Sequence, residues 1–155
     1  MPNTRLSGSV LVVDDDEGVR RVIARWAMDL GHNVKTATQA DEAVEVLRKE
    51  PIDVVVSDVR MPGRDGVWLV DQIGRIMPHV AVVLATGLTE MDPTVTLRPG
   101  VVGYIVKPFN RQDLDDMIQR GLAQGREYRA LNPARRALPA AGGDDIVDGV
   151  LLARF

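Results

Sequence analysis

The chain contains no cysteine, which excludes disulfide bonds, thiolate metal sites and cysteine nucleophiles. Aromatic residues make up only 4% of the chain, so aromatic platforms for stacking nucleic-acid bases are not expected. The formal net charge is −3, and the sequence has no basic stripe of the kind that binds phosphate backbones. These shortages argue against a disulfide-stabilised protein and against a nucleic-acid partner.

Long apolar segments are also missing. No apolar run approaches the roughly 18 residues that indicate a membrane-spanning helix. Residues 1–9 lack the charged and then apolar pattern of a secretory signal peptide. We therefore expect a cytoplasmic protein with no membrane partner. Its 155 residues, 45% of them hydrophobic, suffice for one domain with a substantial core.

Apolar runs rich in β-branched residues alternate with segments of helical periodicity, and the alternation repeats five times. Strands are predicted at Val10–Val13, Asn33–Thr36, Ile52–Ser57, Val80–Ala85 and Val102–Val106. Three of these runs are almost wholly apolar, which is typical of strands covered by helices on both faces. The pattern predicts an α/β fold with a doubly wound parallel sheet and right-handed crossovers.

The helical segments have apolar stripes and recognisable ends. Helices are predicted over Glu17–Leu30, Ala40–Lys49, Val67–Met77 and from Arg111 onward, with Asp16 and Asn110 as N-caps and Gly31 as a C-terminal stop. In the first helix, Trp26 falls on the apolar stripe, whereas Arg20, Arg21 and Arg25 lie off it. The segment Leu88–Gly100 predicts only one or two helical turns, because Pro99 and Gly100 follow soon after Asp92-Pro93.

Polar residues interrupt the apolar pattern where predicted strands end. They are Asp14 and Asp15 after the first strand, Asp58 after the third, Thr86 after the fourth and Lys107 after the fifth. In open α/β sheets, ligands bind along this edge where the strand order reverses. A strand order of 2-1-3-4-5 puts the reversal between strands one and three, so the three carboxylates are expected side by side.

Three crowded carboxylates repel one another, and a hard divalent cation such as Mg²⁺ relieves that repulsion. A cation beside a carboxylate nucleophile also screens an incoming phosphoryl group. The set therefore predicts phosphoryl transfer to Asp58, with Lys107 pairing with the acyl phosphate and the Thr86 hydroxyl donating to it. Asp65 with Gly66 is interpreted as a turn, and His32 and His79 as neither catalytic nor metal-binding.

Four motifs, VLVVDDDEGVRRVI, VVVSDVRMPGRDG, VVLATG and GYIVKPF, occur in the order and spacing of a known family. Over about Val10–Ala123 the chain resembles the receiver domain of two-component response regulators. The resemblance implies a flavodoxin-like (βα)5 fold with strand order 2-1-3-4-5 and a short, irregular fourth helix. Residues 8–128 would form the receiver domain, and residues 129–155 a C-terminal tail or linker with no output domain.

The resemblance also implies roles for individual residues. Asp58 would be the phosphoacceptor and Lys107 a phosphoryl contact, with Thr86 and Tyr104 as the switch pair. Mg²⁺, for which Mn²⁺ or Ca²⁺ could substitute, would be held by Asp15, Asp58, the Arg60 backbone carbonyl and, largely through water, Asp14. The Lys107–Pro108 peptide bond would be cis.

A sensor histidine kinase or a histidine phosphotransfer protein would supply the phosphoryl group, and a downstream protein effector would respond to it. A homodimer through the face of strand four and helix five is compatible with the resemblance. The chain would be a signalling phosphoacceptor rather than an enzyme, with intrinsic self-phosphorylation and slow autodephosphorylation. The Met1 start and the tail, whose composition differs from that of an output domain, favour a stand-alone receiver over one cut from a longer regulator.

Some features depart from the family or leave alternatives open. Thr86 and Lys107 are slightly closer in sequence than in a common receiver. Arg60 and Leu88 occupy positions that influence acyl phosphate hydrolysis in this family, and we expect them to lengthen the phosphorylated lifetime. A pseudo-receiver that only binds partners remains open, although the intact site counts against it. A Mg²⁺ phosphohydrolase also remains open; Asp16 could supply its second carboxylate, but no cap for substrate is evident.

Overall fold

The computed structural model describes residues 5–87 and 92–133 of the chain. Strands and helices alternate along it: β1 Ser9–Val13, α1 Glu17–Asp29, β2 Asn33–Ala37, α2 Ala40–Lys49, β3 Val54–Asp58, α3 Gly66–Ile76, β4 Ala81–Thr86, α4 Pro93–Thr96, β5 Val101–Val106 and α5 Arg111–Leu131. Leu88 and the predicted tail from residue 134 onward lie outside the described residues. The α/β alternation predicted from the sequence is confirmed.

The five strands form one parallel sheet in the order β2-β1-β3-β4-β5, as predicted. β1, β3 and β4 lie inside the sheet, and their apolar side chains are almost wholly buried. Leu11, Leu69 and Leu84 belong to the core on one face, under α2 and α3. Val12 and Ile118 belong to the core on the other face, under α1 and α5. Continuous apolar strands are therefore explained by burial on both sides.

Most element ends lie within one residue of their predicted positions, and β3 is an exception because it begins at Val54 rather than Ile52. The Asp53 backbone N–H still donates to the Ser9 carbonyl at 2.8 Å, and its carboxylate accepts the Ser9 backbone N–H at 2.8 Å. Gly31, with φ of +97°, follows the end of α1 as predicted. The described part of the chain contains no helix long and apolar enough to cross a membrane.

Asp65 was interpreted from the sequence as an ordinary turn residue, and this was incomplete. Its carboxylate accepts the Trp68 backbone N–H at 2.9 Å and caps α3. The first turn of a helix has backbone N–H groups without an intrahelical acceptor, and the side chain of the residue directly before the helix can accept from one of them. A turn within a loop has no such set of N–H groups. The Asp65-Gly66 pair therefore marks the start of α3.

α4 is a single turn, within the one or two turns expected, and none of its residues is buried. The β4–β5 pairing shifts register next to it: Val82 pairs with Val101, but Val83 pairs with Gly103. β5 therefore contains one extra residue, a β-bulge. α5 starts at a capping box formed by Asn110 and Asp113, and it continues three residues beyond the predicted domain limit of 128.

Candidate functional site

The loop after β1 holds the first predicted carboxylate in a fixed position. Asp14 is 1% exposed, and its backbone N–H donates to the Ala37 carbonyl at 3.2 Å, which extends the β1–β2 ladder by one residue. Its Oδ1 accepts the Asp16 backbone N–H at 2.9 Å. Asp16 accepts the Val19 backbone N–H at 3.0 Å and caps α1, as predicted. The carboxylate and the start of the helix are therefore held by the same set of hydrogen bonds.

Asp58 is the last residue of β3, and its side chain is 13% exposed. The loop that follows turns back closely, because the Gly66 backbone N–H donates to the Val59 carbonyl at 2.8 Å. A Cβ atom on Gly66 would overlap the Asp58 carbonyl oxygen and lie 3.0 Å from the Val59 Cα. Only glycine allows α3 to begin so close to the backbone that carries Asp58.

The three carboxylates meet at the C-terminal edge of the sheet, as the strand order predicted. One oxygen from each of Asp14, Asp15 and Asp58 lies within 4.8 Å of the other two. Asp14 is buried, Asp58 is partly buried and Asp15 is exposed, so the cluster is reached from solvent. Its donors are all carboxylate oxygens, the ligand type that suits Mg²⁺, Mn²⁺ and Ca²⁺ rather than a thiophilic metal. The residues fit the divalent cation that the sequence predicted.

Lys107 lies between two of these carboxylates. Its Nζ is 2.9 Å from Asp14 Oδ2 and 3.4 Å from Asp58 Oδ1. The Lys107 backbone N–H donates to the Thr86 carbonyl at 2.7 Å, and its peptide bond to Pro108 is cis, as predicted. The end of β5 therefore places the positively charged Lys107 ammonium beside the Asp14 and Asp58 carboxylates.

The surroundings of the site favour the charged form of Lys107 but not the charged form of Asp58. Burial raises the pKa of Asp58; the charge of Lys107 opposes this rise, and the charge of Asp14 adds to it. Burial lowers the pKa of Lys107, but the hydrogen bonds and charges of Asp14 and Asp58 together outweigh burial, so that pKa is raised overall. Lys107 is thus held as a cation, while the ionised form of Asp58 is disfavoured by its surroundings.

The predicted switch residues lie on neighbouring strands. Thr86 ends β4, is 1% exposed and pairs with Val106. Tyr104 pairs with Leu84 and packs, together with Val95 of α4, against the core under α2 and α3. Leu84 and Thr86 are two residues apart in a strand, so Thr86 and Tyr104 project to the same face of the sheet.

Arg60 is exposed, two residues beyond Asp58, and its backbone N–H acts to lower the pKa of the Asp58 carboxyl group, against the larger effect of burial. The metal-ligand role expected for its carbonyl stays a prediction. His32 does not lie at this edge of the sheet. Its Nδ1 accepts the Gly8 backbone N–H at 3.3 Å, next to the start of β1. Trp26, predicted as a packing residue, contacts Phe109 edge-on, with ring centroids 6.1 Å apart.

Sequence reasoning missed two residues of this site, Gly66 and Arg20. Gly66 was grouped with a turn, whereas the closeness of two backbone segments is what requires it. The sequence places Arg20 off the apolar stripe of α1 and assigns it no partner, whereas its Nη1 donates to the Asp14 carbonyl at 2.9 Å. The sequence contained an indication of this contact, because Arg20 lies four residues after the N-cap Asp16 and so faces the loop of residues 14–16.

Comparison with known proteins agrees with this arrangement. A family model described as the response regulator receiver domain matches residues 10–119. Response regulator protein FleR of Pseudomonas aeruginosa is 36% identical over 86% of this chain, which covers 30% of FleR. The DNA-binding transcriptional regulator NtrC of Escherichia coli is 33% identical over 79% of this chain, which covers 26% of NtrC. The chain therefore spans less than a third of either relative.

Solved structures show the same fold. A response regulator receiver domain protein from Clostridium thermocellum superposes with a TM-score of 0.72 at 28% identity, covering 78% of this chain and 98% of that one. A CheY-like receiver domain protein from Methanospirillum hungatei has a TM-score of 0.73 at 23% identity and covers 79% of this chain. The second likeness concerns the fold alone.

Proposed function

We propose, from the premise that this chain belongs to the response regulator receiver domain family, that Asp58 accepts a phosphoryl group and thereby switches the protein's surface. The proposed donor is the phosphohistidine of a sensor histidine kinase or a histidine phosphotransfer protein. One observation carries the proposal: the carboxylates of Asp14, Asp15 and Asp58 converge beside the Lys107 ammonium at one edge of the sheet.

In the proposed step, an Asp58 carboxylate oxygen forms a bond to phosphorus while the bond from phosphorus to the donor nitrogen breaks. The nitrogen keeps the electron pair, and the product is an acyl phosphate. The unbalanced surroundings of Asp58 favour this step, because a poorly stabilised carboxylate is a better nucleophile than one held by several hydrogen bonds. The C-terminal edge leaves the side chain 13% exposed, enough for a donor to approach.

The proposed cation site consists of Asp15, Asp58 and the Arg60 carbonyl, with Asp14 acting through water. Both Asp14 oxygens already accept protein hydrogen bonds, from Asp16 and Lys107, which supports an indirect role. A bound Mg²⁺ would offset the negative charge of the carboxylates and of the phosphoryl oxygens.

Lys107 and Thr86 would stabilise the product. The Lys107 ammonium, 3.4 Å from Asp58 Oδ1, is close enough to pair with an oxygen of the phosphoryl group after a small shift away from Asp14. Thr86 ends the strand next to β3 and would donate its hydroxyl to the same group. Tyr104, on the same face as Thr86, would then change its packing against α4 and transmit the event to the surface.

We propose that the switched surface contacts a downstream protein. NtrC is named as a DNA-binding regulator, but this chain covers 26% of NtrC and carries a formal charge of −3. An acidic surface does not favour phosphate backbones, so a protein partner fits this chain better. The proposed receiver unit spans residues 8–128, with residues 129–155 as a tail or linker.

Incubation with Mg²⁺ and a small phosphodonor such as phosphoramidate, followed by intact-mass measurement, tests the proposal. The chain should gain the mass of one phosphoryl group in a Mg²⁺-dependent manner. Asp58→Asn should abolish the gain, whereas Asp116→Asn, at an exposed position on α5, should leave it unchanged.

Two outcomes would overturn this function. A chain that binds Mg²⁺ but gains no mass from any small donor would be a binding module rather than a phosphoacceptor. Rapid multiple turnover of free phosphomonoesters, with no stable adduct, would instead indicate a phosphohydrolase.

A further inference from the structure

Asp14 has all four of its hydrogen-bonding groups occupied by other parts of the protein. Its N–H donates to Ala37 and its Oδ1 accepts from Asp16, while its Oδ2 contacts Lys107 at 2.9 Å. Its carbonyl oxygen accepts from Arg20 Nη1 at 2.9 Å. The four partners lie in different segments: Ala37 in β2, Asp16 in the loop between β1 and α1, Lys107 just after β5, and Arg20 in α1.

These contacts restrain different parts of the loop. Those to Ala37, Asp16 and Lys107 fix the Asp14 backbone nitrogen and carboxylate. The carbonyl belongs to the peptide group that joins Asp14 to Asp15, and Arg20 is the side chain that fixes its plane. Among the described residues, the exposed Asp15 carboxylate accepts no hydrogen bond, so its direction depends on that peptide plane.

Arg20 differs from the other arginines of α1. Arg21 is 76% exposed and pairs with Glu17, and Arg25 is 75% exposed and pairs with Asp29, both within the helix. Arg20 is only partly exposed and reaches out of α1 to the backbone of the preceding loop. Solubility and helix stability explain Arg21 and Arg25, but they do not explain a guanidinium turned back onto a carbonyl group.

We propose that Arg20 is a positioning residue that holds the peptide between Asp14 and Asp15, so that the Asp15 carboxylate faces Asp58 before a divalent cation binds. This inference rests on the proposed function and names a further residue on which that function depends. A site formed in advance binds tightly because little ordering remains to be done on binding. Loss of the contact should therefore weaken cation binding more than it slows phosphoryl transfer once the cation is bound.

The test is titration of the full chain with Mn²⁺, following free Mn²⁺ by electron paramagnetic resonance, with Mg²⁺ as competitor. Arg20→Ala should weaken Mn²⁺ binding about tenfold, at the low end of effects seen when groups that orient metal ligands are removed. Arg20→Lys keeps a donor and the charge, and should recover most of the loss. Arg21→Ala is the matched control and should bind as the unchanged chain does.

Two further measurements separate positioning from general destabilisation. In metal-free protein, the backbone amide of Asp16, which donates to Asp14 Oδ1, should exchange faster in Arg20→Ala, while the amides of β3 keep their protection. With phosphoramidate, Arg20→Ala should need about tenfold more Mg²⁺ for half-maximal phosphorylation, yet approach the normal rate at saturation.

Some results would overturn the inference. If Arg20 acted only as a cation competing for the site, Arg20→Ala would bind Mn²⁺ more tightly, not more weakly. Equal weakening in Arg20→Ala and Arg21→Ala would indicate a nonspecific effect of helix charge. An unphosphorylatable chain whose Mn²⁺ binding still depends on Arg20 would refute the proposed function and leave this inference standing.

Discussion

Two charged regions of the molecule are built in opposite ways. At the acidic site, three carboxylates converge and Lys107 is the lysine that lies among them. The second region, the N-terminal strap (residues 5–8), lies against α5 with each charge matched. Arg5 donates to both oxygens of Asp115, at 2.7 and 2.8 Å, and the Leu6 backbone exchanges two hydrogen bonds with Gln119.

The pKa directions express the same difference. The hydrogen bond from Arg5 lowers the pKa of Asp115, so the strap stabilises the ionised carboxylate. Burial raises the pKa of Asp58, so the acidic site destabilises it. Two carboxylates in one small domain thus have opposite effects on its stability. Unmatched charge is retained where chemistry needs it, and matched charge holds the fold together.

The largest effect should come from Gly66→Ala, which disturbs the backbone under Asp58. The new methyl group overlaps the Asp58 carbonyl oxygen and lies 3.0 Å from the Val59 Cα, so the chain itself must move. We expect a loss of about 2–4 kcal/mol in unfolding free energy, the range of severe overpacking. Urea denaturation followed by tryptophan fluorescence measures it.

Two other glycines serve as controls for that experiment. Gly8→Ala, in the strap, meets side-chain atoms of Leu122 and Asp53 at 2.5 and 2.8 Å, which can move aside, so its loss should be about half as large. Gly74→Ala, inside α3, meets nothing closer than 3.8 Å and should gain about 0.5–1 kcal/mol. Equal losses at Gly66 and Gly8 would contradict the contrast between the two regions.

Next in size is Asp115→Asn, which removes the charge that Arg5 matches. The expected loss is about 1–2 kcal/mol, reduced from the usual value of a charged hydrogen bond because Arg5 is 41% exposed. Because the folded-state pKa of Asp115 is lowered, this contribution is present above the unfolded pKa and disappears as pH falls through the folded one. Urea titrations across that pH range, with Asp116→Asn as control, measure it; a loss independent of pH would reject the electrostatic cause.

Asp58→Asn should change stability in the opposite direction. Because the folded-state pKa of Asp58 is raised, its ionised form destabilises the fold at neutral pH, and removing the charge should add roughly 0.5–2 kcal/mol. The gain should shrink as pH falls toward the unfolded pKa, where the carboxyl group becomes protonated in both states. A thermal melt of Asp58→Asn beside Asp115→Asn at neutral pH checks the sign, and destabilisation by both would remove the distinction between the regions.

The smallest expected effect is kinetic and concerns Arg60→Ala at the rim of the acidic site. If the exposed Arg60 side chain restricts water near the acyl phosphate, its removal should speed phosphate loss within about tenfold, or ~1.4 kcal/mol of barrier. A phosphate-release time course on the phosphorylated chain measures the rate. Arg64→Ala, four residues further along the same loop, is the comparison; equal rates in all three proteins would reject a role for Arg60.

The fold class could be predicted because it follows from the apolar pattern, and the carboxylate cluster could be predicted because the family resemblance supplied the strand order. Continuous apolar strands require helices on both faces, and the strand order then brings Asp14, Asp15 and Asp58 together. The N-caps Asp16 and Asn110 were also predictable, since capping is local in sequence.

The residues that escaped prediction depend on distances between segments. Gly66 matters because two backbone stretches approach closely, and Arg20 matters because its guanidinium reaches a carbonyl in another element. The Asp53 carboxylate likewise joins two other segments, because one of its oxygens accepts the Ser9 backbone N–H and the other accepts from the Arg129 guanidinium. Neither periodicity nor propensity encodes such encounters, because they arise only once the sheet is assembled.

The bulge in β5 decides which way Tyr104 points. With uninterrupted pairing, Tyr104 would stand opposite Ala85 and project toward α5; the additional residue puts it opposite Leu84 instead. Val101 and Tyr104 are three positions apart, a separation that puts side chains on opposite faces of a regular strand. Because of the bulge, both pack against the core under α2 and α3. Deleting Val102 would close the bulge and leave Val101, Gly103 and Tyr104 in regular pairing with Val82, Val83 and Leu84, so the aromatic ring would stay on the side of the sheet that Thr86 faces.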